Sequence, residues 1–317
     1  MVKQPPFTTL FQSADFAKNY LTNHYKAYFT HPEEKAYKCC YSFVYYIDLG
    51  SHYFDQGKRA PLSIKPVLLF YGLSNWLKAA LLTIDPDYPA TTQVLAHGLS
   101  ARKRKKQGYQ FLSDEVRYQK EGLFPYLSSK LFNIKQVTGE KIKMRHLLFN
   151  IPEMQAILYS LFNEIGLVSL NVMTDPDNYF LNKSRLNFKG HEFQRWFRLI
   201  NDLADPNIIV QNKEEGIHIK VPSETISQSR LIRASMSGEV YLPLHPEEIP
   251  RTPELLVHYM LLYQLSMICR YETEWWGDLI YSFSSNDLPT ITEWLEVSQA
   301  KSPWLINQFF FPIKKQG

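Results

Sequence analysis

Apolar positions recur at helical spacing through the first third of the chain. Ala14, Ala17, Leu21 and Tyr28 form one stripe behind Ser13, which predicts a helix over 14–29 with Ser13 as its N-cap. His31-Pro32 interrupts it. Glu33 and Glu34 then suit the positive end of a second helix, expected over 33–57, with Ala36, Cys40, Phe43, Val44 and Ile47 facing inward. A third helix, expected over 64–84 with Pro66 in its first turn, is apolar nearly all round and so belongs at the centre of a bundle. Its polar exceptions, Tyr71, Asn75 and Lys78, fall at i, i+4 and i+7 and share one face. That face is either the rim of the bundle or a polar seam lining a groove in which Lys78 meets an anion. After a turn through Asp85-Pro86-Asp87-Tyr88-Pro89, a short helix is expected over 91–97, with Gly98 as its C′ residue.

The period changes from Tyr109. A strand is expected over 115–121, a helix over 147–164 with Pro152 in its first turn, a strand over 166–173 and an amphipathic helix over 191–203. Two hairpins follow, 208–211 with 217–221 and 230–234 with 239–244, each around a short polar turn containing Gly. Thr252-Pro253-Glu254 then reads as a helix start, with a capping hydroxyl, a proline and an acid, for a second strongly apolar helix over 255–271. A helix over 289–299 and a last short one capped by Ser302-Pro303 complete the chain. The expected fold is α+β, mainly α. Residues 1–108 and 251–317 form one helical bundle, and a strand-rich region, 109–250, is inserted between them.

Composition narrows the picture. With 45% hydrophobic and 15% aromatic residues, the chain packs a core and is not disordered. The start, MVKQPPFTTL, lacks the apolar core of a signal peptide, and the longest nearly apolar run, 255–269, is too short to span a bilayer, so a cytoplasmic location is expected. Cys39, Cys40 and Cys269 form no C-x-x-C, and no HExxH is present, so neither metal nor cofactor is expected. The net charge of +4 conceals an asymmetry: residues 101–145 hold 12 Lys or Arg against 4 Asp or Glu, and residues 246–300 hold 2 against 9. Such a division concerns partners or internal docking and not fold.

Two segments carry a resemblance. Phe70-Tyr-Gly-Leu-Ser-Asn-Trp-Leu-Lys-Ala-Ala-Leu-Leu82 with His97-Gly98-Leu99, and Arg270-Tyr-Glu-x-Glu-Trp-Trp-Gly277, resemble the YaaC-like family of bacilli and relatives. The first segment is also similar, more distantly, to the HEPN helical superfamily, whose members are antiparallel bundles that often dimerise and include ribonucleases and non-catalytic binding modules. The YaaC-like resemblance implies no settled activity. Its genomic association with IMP dehydrogenase implies a link to guanine nucleotide metabolism and makes that enzyme the first candidate partner. The HEPN resemblance implies a homodimer as a further partner arrangement.

Candidate chemistry is sparse. HEPN nucleases pair Arg and His at four to six intervening residues. Arg185 with His191 and Arg251 with His258 satisfy that spacing here, but chance supplies about one such pair. Arg251 and His258, at the start of a long helix, are the better placed. His97 closes a predicted helix, where it either caps the turn or contacts a phosphate. The run Arg102, Lys103, Arg104, Lys105 and Lys106, followed by Tyr109 and Phe111, is a solvated loop, a dock for the acidic C-terminal helices, or a binding element for RNA or a nucleotide. Glu272, Glu274 and Asp278 read as capping acids or partners of Arg270, and Trp275 and Trp276 as its packing surface. The function expected is a non-enzymatic regulatory protein that binds a protein partner or a nucleotide-like anion. The ligand residues would be His97, the basic run, Lys78, Asn75 and Tyr71. The alternative is a HEPN-type RNA-binding protein or metal-independent ribonuclease using Arg251 and His258.

Overall fold

A computed structural model of the chain describes residues 6–101, 109–175, 177–282 and 285–312. The basic run 102–106 lies outside the described residues. The fold is α+β and mainly α. A one-turn helix α1 (Phe7–Leu10) leads into α2 (Ala14–Tyr25), where the Ser13 hydroxyl accepts the Phe16 amide at 3.2 Å, as an N-cap does. The long α3 (Pro32–Arg59) and α4 (Lys65–Leu82) pack side by side. They approach closely because Gly50 and Gly72 carry no Cβ: one at Gly72 would sit 2.3 Å from the Phe54 ring and 3.1 Å from the Gly50 carbonyl oxygen. The space is taken by Trp76, stacked on Phe54 at 4.2 Å and donating to the Ile47 carbonyl at 3.2 Å.

Three small antiparallel sheets follow. β1 (Leu99–Ala101), β2 (Glu115–Tyr118) and β3 (Lys141–Lys143) form the first, in that order, with α5 (Leu123–Phe132) between β2 and β3 in sequence. α6 (Met144–Leu148) and α7 (Gln155–Phe162) replace the single helix expected over 147–164. Pro152 forces its predecessor out of the helical region, so Ile151 lies at φ −111° and ψ 120°. The strand expected over 166–173 is two, each in a different sheet. β4 (Leu167–Ser169) pairs with β10 (Val240–Pro243), which pairs in turn with β9 (Arg233–Ala234). β5 (Asn171–Val172), β6 (Asn178–Leu181), β8 (Ile217–Lys220) and β7 (Ile209–Asn212) form a four-stranded sheet in that order, backed by the amphipathic α8 (Glu192–Leu203). Both expected hairpins are present.

The chain returns to the bundle with α9 (Glu254–Tyr271), α10 (Thr273–Ser282) and α11 (Asp287–Phe310). Pro253 precedes the first helical residue, and the Thr252 hydroxyl is buried without a partner, so the capping expected there is not made. The two helices expected after 289 are one. Pro303 lies inside α11, its missing amide costing about 3 kcal/mol. Buried residues on both sides of it, including Trp294, Leu295, Leu305, Ile306 and Phe310, outweigh that, at about 1.5–3 kcal/mol for each large apolar side chain.

Buried apolar residues divide into two clusters. The larger joins α1–α4 and α9–α11 and also takes in 111–158, while the smaller runs from Val168 to Leu242. The division of the cores therefore falls later than the change of period at 109. Cys39, Cys40 and Cys269 are all buried and reduced.

Candidate functional site

α4 and α9 cross at the centre of the larger core, and the His97-Gly98 dipeptide is tied to their edge by its backbone. The His97 carbonyl accepts the Tyr259 hydroxyl at 3.0 Å and the Phe124 amide at 3.1 Å. Two residues on, the Leu99 carbonyl accepts the Tyr263 hydroxyl at 2.9 Å. Gly98 is at φ +76°, and a Cβ there would lie 2.8 Å from the Phe124 nitrogen. The glycine is thus required by a close backbone approach and not by a helix end. The expected helix over 91–97 is a 3-10 turn, Thr92–Leu95, followed by extended Ala96, so His97 caps nothing. Gly98→Ala is expected to destabilise the protein by about 1–3 kcal/mol, through the αL conformation and the contact with Phe124. A urea midpoint unchanged from wild type would refute this.

The His97 imidazole is half-buried among aromatic rings, with Phe70 at 5.0 Å, Tyr263 at 5.7 Å and Tyr71 at 6.3 Å between centroids. Arg270, in the last turn of α9, reaches the same place. Its Nη1 donates to the Tyr71 hydroxyl at 3.4 Å, and its Nε donates to the Ser266 carbonyl at 2.9 Å. Its guanidinium lies over the Tyr271 ring at 5.2 Å, where packing on Trp275 and Trp276 was expected. Those two rings go elsewhere: Trp275 packs edge-on against Tyr109, and Trp276 donates to the Ser63 carbonyl. Lys78 is half-buried, its ammonium 5.6 Å from the Tyr46 ring of α3, and Tyr53 lies 5.8 Å from Tyr71.

The electrostatics have one sign. Burial, then Arg270, then Lys78 push the His97 imidazole below its ordinary pKa. Burial alone lowers the Lys78 ammonium. Among the described residues no carboxylate pairs with Lys78 or Arg270. Partly buried cations are ordinarily paired, and the described residues supply this cluster with no carboxylate counter-charge.

Of the expected ligand residues, the structure brings Tyr71, Lys78 and His97 together. Asn75 is buried and donates its amide to the Tyr71 carbonyl at 2.8 Å, which leaves it as a helix-internal support for the seam. By sequence Arg270 reads as a packing residue or an ion-pair partner of Glu272, Glu274 and Asp278. Its sole sequence signal as a site residue was its place in the second segment of the family resemblance. The alternative pair does not assemble. Arg251 is exposed, whereas His258 has no exposed surface; its Nδ1 meets Ser298 Oγ at 3.0 Å, its Nε2 lies 3.6 Å from Glu254, and Trp294 stacks against it. Among the described residues no group of three or more His, Cys, Asp or Glu is arranged to hold a metal, Glu272, Glu274 and Asp278 included. No described helix is long and apolar enough to cross a membrane.

Fold and site together define a mainly helical α+β protein in which Lys78, Arg270 and His97 cluster where two central helices meet a His-Gly turn, with no carboxylate paired to the two cations among the described residues. The chain matches the model of the YaaC-like protein family over residues 9–310 and belongs to that family. No curated protein and no solved structure matches it.

Proposed function

We propose that the protein is a non-catalytic regulatory protein that binds a phosphate-bearing, nucleotide-like anion at the cluster around His97. The observation that carries this reading is the convergence of Lys78, Arg270 and His97, with no carboxylate paired to the two cations among the described residues. A ligand phosphate supplies the missing counter-charge, with charge-assisted hydrogen bonds from the guanidinium and ammonium. The Tyr53 and Tyr71 rings give an aromatic wall for a base. IMP dehydrogenase remains the first protein partner to test, on the strength of the family's genomic association. The ribonuclease reading is set aside, because its histidine is sealed in the core.

Titration calorimetry with guanosine monophosphate and with inorganic pyrophosphate tests the proposal. Below its ordinary pKa in the free protein, His97 is neutral at pH 7. A bound anion favours the imidazolium, so binding takes up a proton. Affinity should therefore rise as pH falls through the His97 value of the complex and level off below that of the free protein. The proton uptake appears as a dependence of the heat on buffer ionisation enthalpy. The absence of binding by either probe, or affinity that does not change with pH, would sink the reading.

A further inference from the structure

The outer face of α3 carries a row of large side chains that the described residues leave largely exposed, with only the Lys18 ammonium over one of them, 5.3 Å from the Tyr37 ring. Tyr37, Tyr41, Tyr45 and Leu49, four residues apart, are 68%, 59%, 66% and 46% exposed. Single exposed aromatics are ordinary on a soluble protein, but a contiguous row of four along a helix is the mark of an interaction surface. Its neighbours are polar. Glu34 and His52 lie beyond its two ends, and Lys38 and Asp48 flank it; within the chain the Lys38 ammonium pairs with Asp87 at 3.0 Å, and His52 lies 3.6 Å from Asp48.

The arrangement is close to symmetric about the level of residue 43. At about 100° per residue, Glu34 and His52 are about five turns apart and lie on one line along the helix. Tyr41 and Tyr45 sit about 20° to either side of that line. Tyr37 and Asp48 fall on one side of it, and Lys38 and Leu49 on the other. A second α3 running antiparallel across a two-fold axis at this level therefore meets complementary groups throughout. Glu34 faces the partner's His52, the Tyr37 hydroxyl faces the partner's Asp48, and Lys38 lays its methylene stem over the partner's Leu49. The four central rings, Tyr41 and Tyr45 from each copy, form the middle. Such reciprocity is what an isologous contact requires. We infer that α3 is a homodimer interface and that the occupant of this face is a second copy of the chain. Tyr46 and Tyr53, which border the His97 cluster, lie about 100–120° round α3 from the midline of the row and about 40–60° from Leu49 at its edge, so a contact centred on Tyr41 and Tyr45 does not cover them. The inference is independent of what the His97 cluster binds.

Sedimentation velocity of the full chain tests it. The wild type is expected to run as a dimer at micromolar concentration, and Tyr41→Lys with Tyr45→Lys as a folded monomer with an unchanged circular dichroism spectrum. His52→Glu sets two carboxylates against each other and should weaken the dimer roughly tenfold or more. Adding Glu34→Lys should restore it, which a merely misfolded variant would not show. A monomeric wild type overturns the proposal. So does a dimer that survives the double tyrosine change, or a His52→Glu defect that Glu34→Lys does not rescue.

Discussion

Lys301→Met is expected to destabilise the protein by about 3–5 kcal/mol, far more than the loss of a surface lysine. Lys301 has no exposed surface. Its ammonium is held by Glu254 at 2.6 Å and Glu153 at 2.5 Å, and Glu254 is itself buried beside His258. Glu153 also accepts the Met236 amide from the β9–β10 turn, so the network joins α11 and α9 to the smaller core. Removing the lysine strands a buried carboxylate, whereas removing both partners of such a pair is often close to neutral. Lys301→Met with Glu254→Met should therefore cost less than the sum of the single changes, read as urea midpoints in a double-mutant cycle. A double variant as costly as that sum would refute the account.

The same network sets an acid limit. Burial works to raise the Glu254 carboxyl, but Lys301, His258 and Arg233 outweigh it and hold the carboxyl below its usual range. Its contribution is therefore present above the unfolded carboxyl pKa and lost as pH falls through the lower folded value.

The largest functional effect is expected from Lys78→Met combined with Arg270→Met. Each hydrogen bond to a charged group is worth about 1.5–3 kcal/mol, so the pair should lower affinity for pyrophosphate or guanosine monophosphate by roughly 10²–10⁴-fold. Stability should move the other way. Lys78 is desolvated with only the Tyr46 ring, and no carboxylate, facing it among the described residues, and methionine fills its space without that penalty, so Lys78→Met alone should leave the thermal midpoint unchanged or raised. Lost binding with kept stability marks a residue held for a ligand. A Lys78→Met protein that melts well below wild type would assign the lysine a structural role instead. Weakened binding in Asn75→Ala would indicate only indirect support, since that amide is already committed to the Tyr71 carbonyl.

Much of the scaffold was legible in the sequence. α4 and α9 were recognisable because they are apolar on nearly every face, and only burial on all sides accommodates that. Ser13 marked a helix start through a bond made within four residues. The hairpins were readable because short polar turns containing Gly join strands of matching period. The bundle's assembly from both chain ends followed from there being two such helices and little else to cover them.

Other features depended on partners far away in the chain. Pro303 reads locally as a helix break, and α11 continues through it because buried residues on either side outweigh one missing hydrogen bond. Lys301 reads as a solvated lysine, and Glu153 and Glu254 bring it inside. His258 was an alternative catalytic residue by its spacing from Arg251, and its packing against Trp294 removed it from the surface. The cluster itself joins Tyr71 to Arg270 across 199 positions. The sequence by itself determined the class of fold, its central helices and the polar seam on α4, since these follow from periodicity and local bonding. Only the tertiary structure decided which charges are neutralised and which are left open, because a charge takes its meaning from what is packed within a few ångströms of it.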